Sequence, residues 1–397
     1  MYRSRRLRAE AQRIRTHARK RVRGFTLVEL MVGLLISLLC TLAMMAAFAG
    51  FEGQKRTTTS GNDAQQNGSY SLFQLERQIR SAGSGLTQGN RYNLWGCAIT
   101  AFSSSTQRLP AATALPDPFK SWPLTTRAVP VLIQSGGTNP DTIAVIAGNP
   151  AVRTFRTKVD STPDKATVKI DATHDNTTGI YANDYLLASD TGTSGGCTLA
   201  RAASVDTTSQ SITLTAADGP STGLTKAFSG QGYLFDLGSA PAFTLFGVDS
   251  NNTLVSYDLL QRSSSNTMPL AEGIVQIKAL YGVDTDGDGL IDTWTLPTGD
   301  WALDKLTTDA AAASAAYSKI KAVRVAVVAQ SLLPERAPPS GAAGPGIDPG
   351  YKGGKSLTLF GDLDVSLQVS VATQEQYRYK VYDTTVPVRG AFISKFY

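Results

Sequence analysis

The chain has 397 residues, of which 42% are hydrophobic and 18% charged, a composition typical of a globular protein and not of a disordered one. Its net charge of +6 comes from the N-terminus: residues 1–24 hold ten of the 38 Lys and Arg and a single acid, so the remainder has 28 basic and 31 acidic side chains. The positive net charge of the whole chain is therefore no evidence for nucleic-acid binding.

A long apolar run follows the basic segment. No charged residue occurs from Leu30 to Phe51, which is long enough for a helix that crosses a bilayer. By the positive-inside rule, the basic segment stays in the cytoplasm and the body is exported. Glu29 stands at the start of this run, four residues after Phe25, where a buried carboxylate is costly unless it is paired.

The run RGFTLVELMVGLLIS resembles the type III signal of type IV prepilins, in which a basic leader ends in Gly before Phe-Thr-Leu, a hydrophobic residue and Glu. The resemblance implies that a prepilin peptidase cuts after Gly24 and that Phe25 is then N-methylated. It also implies that Glu29 pairs with the N-terminal amine of a neighbouring subunit, since each charge is costly alone in an apolar bundle. The alternative is a signal anchor with an unrelated Glu.

The helix is expected to continue beyond the membrane. Leu72, Leu75, Ile79 and Ala82 fall on one helical face, and Gly83 and Gly85 are typical helix terminators. We therefore divide the chain into four parts, namely a cleaved leader (1–24), a transmembrane and filament-core helix (25–52), an amphipathic half of the same helix (53–85) and a β-rich head (86–397).

Alternating or continuous apolar runs in the head predict strands. They occur at 142–147, 166–171, 211–215, 231–237, 274–281, 321–330, 364–371 and 376–388, and the Ala-rich stretch 309–319 predicts a short helix. Sheet strands after one long helix predict an α+β protein, and the resemblance specifies the type IV pilin fold, with the helix packed on a C-terminal antiparallel sheet. In an exported head, Cys97 and Cys197 are expected to form a disulfide, the alternative being two free thiols.

The run YGVDTDGDGLIDTW carries acids at relative positions 1, 3, 5 and 9 and Gly289 at position 6, like the start of an EF-hand loop. The candidate ligands are Asp284, Asp286, Asp288, the backbone carbonyl of Leu290, and Asp292. Hard oxygen donors select Ca²⁺, so a structural calcium ion is expected in the loop at 284–295. Thr295 replaces the usual bidentate Glu, so that affinity should be weaker or Asp300 should complete the shell. The alternative is a solvated Asp/Gly turn.

The aspartate loop also indicates which family of pilins the chain resembles. A strand that ends in YGVD (281–284), the Asp/Gly loop, and a later VRV (323–325) resemble PilW, a large minor pilin related to the PulJ pseudopilins. The resemblance implies a minor pilin that primes type IV pilus assembly and sits at the tip. The implied partners are the prepilin peptidase, PilV-, PilX-, FimU- and PilE-like minor pilins, the major pilin and a PilY1-like adhesin. The protein would lie in the inner membrane with a periplasmic head, and later in the surface pilus.

No motif indicates catalysis. His17 lies in the leader, which leaves His174 as the single histidine of the mature chain, and no phosphate-binding loop or nucleophile elbow occurs. A non-enzymatic protein is therefore expected. Two other functions stay open, a minor pseudopilin of a type II secretion system and a tip adhesin or DNA-uptake module whose ligand binds the region 90–270.

Overall fold

The computed structural model describes residues 24–92, 94–103, 105–190, 196–216, 219–228, 232–262, 265–333, 356–370 and 377–388. Residues 1–23, which make up nearly all of the expected leader, lie outside the described part. The chain divides into two compact units, Met1–Arg56 and Thr57–Tyr397, and the boundary falls inside the longest helix.

Three α-helices, a short 3-10 helix (Gly299–Trp301) and twenty strands occur in the described part of the chain. The α-helices are α1 (Leu27–Ser81), α2 (Leu303–Leu306) and α3 (Ala310–Lys319). The strands are β1 (Ala98–Ser103), β2 (Thr106–Leu109), β3 (Val131–Gln134), β4 (Thr142–Ala147), β5 (Thr157–Ser161), β6 (Thr167–Ile170), β7 (Tyr185–Asp190), β8 (Gly196–Asp206), β9 (Ser211–Ala216), β10 (Gly219–Thr222), β11 (Gly232–Asp236), β12 (Ala242–Val248), β13 (Thr253–Asp258), β14 (Met268–Glu272), β15 (Ile274–Val283), β16 (Thr293–Thr295), β17 (Ile320–Gln330), β18 (Ser356–Leu359), β19 (Leu367–Ser370) and β20 (Tyr379–Pro387).

The C-terminal half of α1 buries one of its faces. Leu75 and Ile79 are fully buried in the main core, and Gly68 and Ser71 continue the same stripe one turn apart. A Cβ atom added to Gly68 would lie 2.3 Å from the ring of Tyr382 in β20. A larger residue at this position would therefore displace the Tyr382 ring.

A four-stranded antiparallel sheet, in the order β16-β15-β17-β20, forms the C-terminal end of the head. Alternate residues of β17 face opposite sides: Val323, Val325 and Val327 join the core that includes α1, whereas Ala326 and Val328 face the β18–β19 hairpin. Both faces of β17 are thus covered, which explains its nearly continuous apolar sequence.

A closed barrel precedes this sheet. Nine strands form one sheet in the order β10-β9-β6-β5-β11-β7-β8-β1-β2, and a further pairing of β8 with β9 closes six of them into a ring. Side chains such as Val168, Leu186 and Leu234 fill the barrel interior. A five-stranded sheet, β14-β13-β12-β4-β3, completes the head.

The expected α+β class is confirmed, with an apolar N-terminal helix and antiparallel C-terminal sheets. Every stretch that we expected to be a strand contains one. The segment 364–371, expected in the main sheet, instead forms β19 in the separate β18–β19 hairpin. The barrel was not expected from the sequence.

Candidate functional site

The N-terminal motif begins at an exposed, extended stretch. Gly24, Phe25 and Thr26 precede α1, and the Phe25 side chain is 81% exposed. The Thr26 hydroxyl accepts a hydrogen bond from the backbone N–H of Glu29 at 3.2 Å, which caps the first turn of the helix. Glu29 itself lies in that first turn, where the helix dipole favours an acid.

Gly24 has no structural reason to be glycine. A Cβ atom added there would meet no atom within 4 Å. The folded chain therefore tolerates a larger residue at this position, and a requirement for glycine must come from something other than folding.

The apolar part of α1 is exposed in the part of the chain that the structure describes. Its large hydrophobic side chains, from Leu30 through Leu38 to Phe48, are all more than half exposed. In the described part of the chain, α1 is the one helix long and apolar enough to cross a membrane by length and composition. Such a surface suits lipid or a bundle of like helices.

The aspartate loop follows β15 and is shaped by its own carboxylates. Asp284 is buried, and its two oxygens accept hydrogen bonds from the backbone N–H groups of Gly287 at 2.6 Å and Gly289 at 2.9 Å. Both glycines have positive φ, a conformation that glycine adopts without strain. Asp292 turns back across the loop and accepts hydrogen bonds from the N–H and the hydroxyl of Thr285.

Three of the four aspartates converge. Carboxylate oxygens of Asp284, Asp286 and Asp292 all lie within 4.8 Å of one another. Asp288 is not part of this group, and its carboxylate accepts a hydrogen bond from the N–H of Leu290. The structure thus brings together three of the five ligands expected from the sequence and leaves the Asp288 carboxylate outside the group.

A lysine that the sequence reasoning missed reaches the loop. The Lys321 ammonium lies 3.5 Å from Asp284, and both side chains are buried. Burial raises the pKa of Asp284, but the N–H groups of Gly287 and Gly289 and the Lys321 ammonium outweigh it and hold the pKa below its usual value. The signal for this contact was a lysine inside the apolar strand β17, which needs an acidic partner when buried.

The two head cysteines are joined. Cys97 and Cys197 form a disulfide with their Cα atoms 5.8 Å apart, and both are buried. The bond links the start of β1 to the barrel strand β8, which pair in parallel with Ile99 opposite Cys197. Cys40 is a free, exposed cysteine on α1.

Two family models match the chain at the places where these features lie. The model for the prokaryotic N-terminal methylation motif matches residues 19–45, which include Gly24, Phe25 and Glu29. The model for type IV pilus-assembly protein W matches residues 245–390, which include the aspartate loop and the four-stranded sheet. The two matches together support a PilW-family type IV pilin.

The PilW-type match covers the C-terminal sheets, whereas residues 46–244, with the barrel and the disulfide, lie between the two matches. No curated protein and no solved structure matches the chain. The pilin motif and the PilW-type domain support a minor pilin related to type IV pili. They indicate a structural protein that interacts with a prepilin peptidase and other pilus components.

Proposed function

We propose that this PilW-family chain is a minor pilin that helps to initiate assembly of a type IV pilus and caps the fibre. The observation that carries the proposal is the combination of a methylation motif with a PilW-type domain in one chain. The exposed apolar surface of α1 supports it, because such a surface can be stored in lipid and later packed against other subunits.

Maturation is proposed to consist of cleavage after Gly24 and N-methylation of Phe25, which leaves the processed amine four residues from Glu29. In the filament, Glu29 pairs with the N-terminal amine of a neighbouring subunit. A cation and an anion that are each costly in an apolar bundle become tolerable as a pair.

Before assembly, the protein is proposed to span the inner membrane once, with residues 1–24 in the cytoplasm and the head in the periplasm. The packing of the C-terminal half of α1 on the four-stranded sheet supports a type IV pilin fold with the barrel as an added part. The proposed partners are PilV-, PilX-, FimU- and PilE-like minor pilins, the major pilin and a PilY1-like tip adhesin.

The aspartate loop is proposed to hold a structural calcium ion. The convergence of three carboxylates supports a site for a hard cation, and calcium takes such oxygen ligands. Lys321 already offsets part of the negative charge at Asp284, so that the affinity should be lower than that of a full EF-hand. Calcium there would keep the loop after β15 in one conformation.

The assembly role is tested by replacing Glu29 with alanine in the native host. We expect normal processing but reduced incorporation into surface fibres, measured by immunoblotting of sheared pili. Glu52→Ala is the matched control, because Glu52 is an exposed acid of the same helix outside the motif. Wild-type incorporation of the Glu29→Ala protein would contradict the pairing role.

Deletion of the gene distinguishes the alternatives. A minor pilin of the proposed kind is needed for normal pilus number, whereas a type II pseudopilin is needed for protein export. Loss of secreted proteins with normal pili would favour the secretion system. Normal pili that no longer attach or take up DNA would favour a tip adhesin or uptake module.

A further inference from the structure

A cavity of about 870 Å³ opens beside the C-terminal end of α1. Its walls come from the last turn of α1, the glycine-rich turns that follow, the segment leading into β5, and the loop after β6. This volume lies in the range of about 300–1,000 Å³ that is usual for small-molecule sites. All lining residues fall between the two stretches matched by family models, so that neither match assigns them a role.

The charged side chains in the wall are already paired. Arg156 contacts Asp175, and Arg80 contacts Glu76 on the preceding turn of α1. His174 is also fixed, since its Nδ1 lies 2.8 Å from a carboxylate oxygen of Asp171. Asp175 is shared by Arg156 and the neighbouring Arg153, so these pairs hold the polar groups in set positions and leave a small excess of positive charge beside the cavity.

Hydroxyl and amide groups add to these polar positions. Thr87, Ser84 and Gln88 line the cavity, and the Thr87 hydroxyl donates to the backbone carbonyl of Thr154. Hydroxyl oxygens retain acceptor capacity when they donate, and guanidinium groups offer several donors each. The wall therefore presents both donors and acceptors, which suits a ligand rich in hydroxyl groups.

Aromatic rings form the apolar part of the wall. Phe155 lines the cavity and is 51% exposed, with the guanidinium of Arg153 4.8 Å from its ring centroid. Tyr92 is held against Tyr233, with ring centroids 4.7 Å apart, and against Arg156. Phe155 therefore offers an exposed aromatic face at the edge of a polar cavity.

We propose that this cavity binds a neutral saccharide of one to three sugar units. A pyranose has an apolar C–H face that packs on an aromatic ring and a rim of hydroxyl groups that donate and accept hydrogen bonds. Phe155 and Tyr92 supply the ring surface, and the paired Arg156, Asp175 and His174 supply fixed polar groups. A peptide segment of a partner protein is the competing occupant, but the number of fixed hydroxyl, amide and guanidinium groups beside two aromatic rings favours the saccharide.

The test uses the full-length protein in lipid nanodiscs, which avoids detergents with sugar headgroups. Saturation-transfer difference NMR is recorded with cellotriose, maltotriose, tri-N-acetylchitotriose and lactose, each at millimolar concentration. We expect transfer to the protons of at least one of these sugars. Phe155→Ala should weaken the binding at least about tenfold, whereas Phe155→Trp, which keeps an aromatic face, should retain it.

Phe73→Ala is the matched control. Phe73 is a phenylalanine of similar exposure, 56%, that lies outside the cavity, and its loss should leave sugar binding unchanged. Three results would overturn the proposal: no transfer to any of the four sugars, equal transfer with Phe155→Ala, or equal loss with Phe73→Ala. None of these outcomes depends on pilus assembly, so the sugar-binding proposal and the assembly role are tested independently.

Discussion

Removal of the Cys97–Cys197 disulfide should destabilise the head strongly. The two residues are 100 positions apart, and the closed loop contains β1 to β7. In the chain-entropy model, a loop of this length gives about 4–5 kcal/mol of stabilisation by restricting the unfolded chain. The bond also fixes β1 to β8, the strand that pairs with both β7 and β9 and so closes the barrel.

The double variant Cys97→Ala, Cys197→Ala tests this estimate by urea unfolding of the full-length protein in detergent. Tryptophan fluorescence is a suitable readout, because Trp95 is buried two residues before Cys97. We expect the unfolding free energy to fall by about 4 kcal/mol. Cys40→Ala is the control and should change nothing, since Cys40 is free and exposed. A double variant within about 1 kcal/mol of the wild type would refute the reasoning.

Three further outcomes can be measured on the same preparations. Burial raises the pKa of Asp236 to about 7, so the folded state holds this proton more tightly than the unfolded state does. The contribution of Asp236 to the unfolding free energy should therefore be fully present below about pH 4 and fall by roughly 2–4 kcal/mol as the pH rises to 7, and Asp236→Asn should remove this part of the pH dependence in urea titrations at several pH values. Gly68→Ala should cost about 1–3 kcal/mol in urea unfolding, because the new methyl group meets Tyr382; an unchanged midpoint would contradict the observed helix packing. Calcium should raise the thermal midpoint, and Asp286→Asn should reduce this shift more than Asp288→Asn does; equal effects would contradict the three-carboxylate site.

Local sequence was sufficient to predict the helices and strands whose apolar residues recur at a regular spacing. The run TIAVIA became the fully buried β4, and the valines of β17 alternate between two packed faces. The stripe of α1 that carries Leu75 and Ile79 followed directly from helical spacing. In each case the side chains that decide the structure are neighbours in sequence.

The barrel could not be predicted in this way. Its closure depends on β8 pairing with β9 on one side and β7 on the other, and nothing in the alternation of a single strand specifies its partners. For the same reason β19 was assigned to the main sheet, although it pairs with β18. Strand existence is a local property, whereas strand order is set by contacts across the whole head.

The aspartate loop likewise has one part that the sequence predicts and another that only the folded structure shows. Spacing predicted that Asp284, Asp286 and Asp292 would meet. Asp288 stays outside this group, which local sequence does not explain, since Asp286 and Asp288 each accept a hydrogen bond from the N–H two residues on. Lys321 reaches Asp284 from β17, so this contact is visible only in three dimensions.

The most direct test of the central claim is mass spectrometry of the N-terminal peptide from protein isolated from its native membrane or fibre. A pilin of the proposed kind must begin at Phe25, with one methyl group on its amine. A mature protein that still carries the segment before Gly24, in cells whose other prepilins are processed normally, would contradict the account.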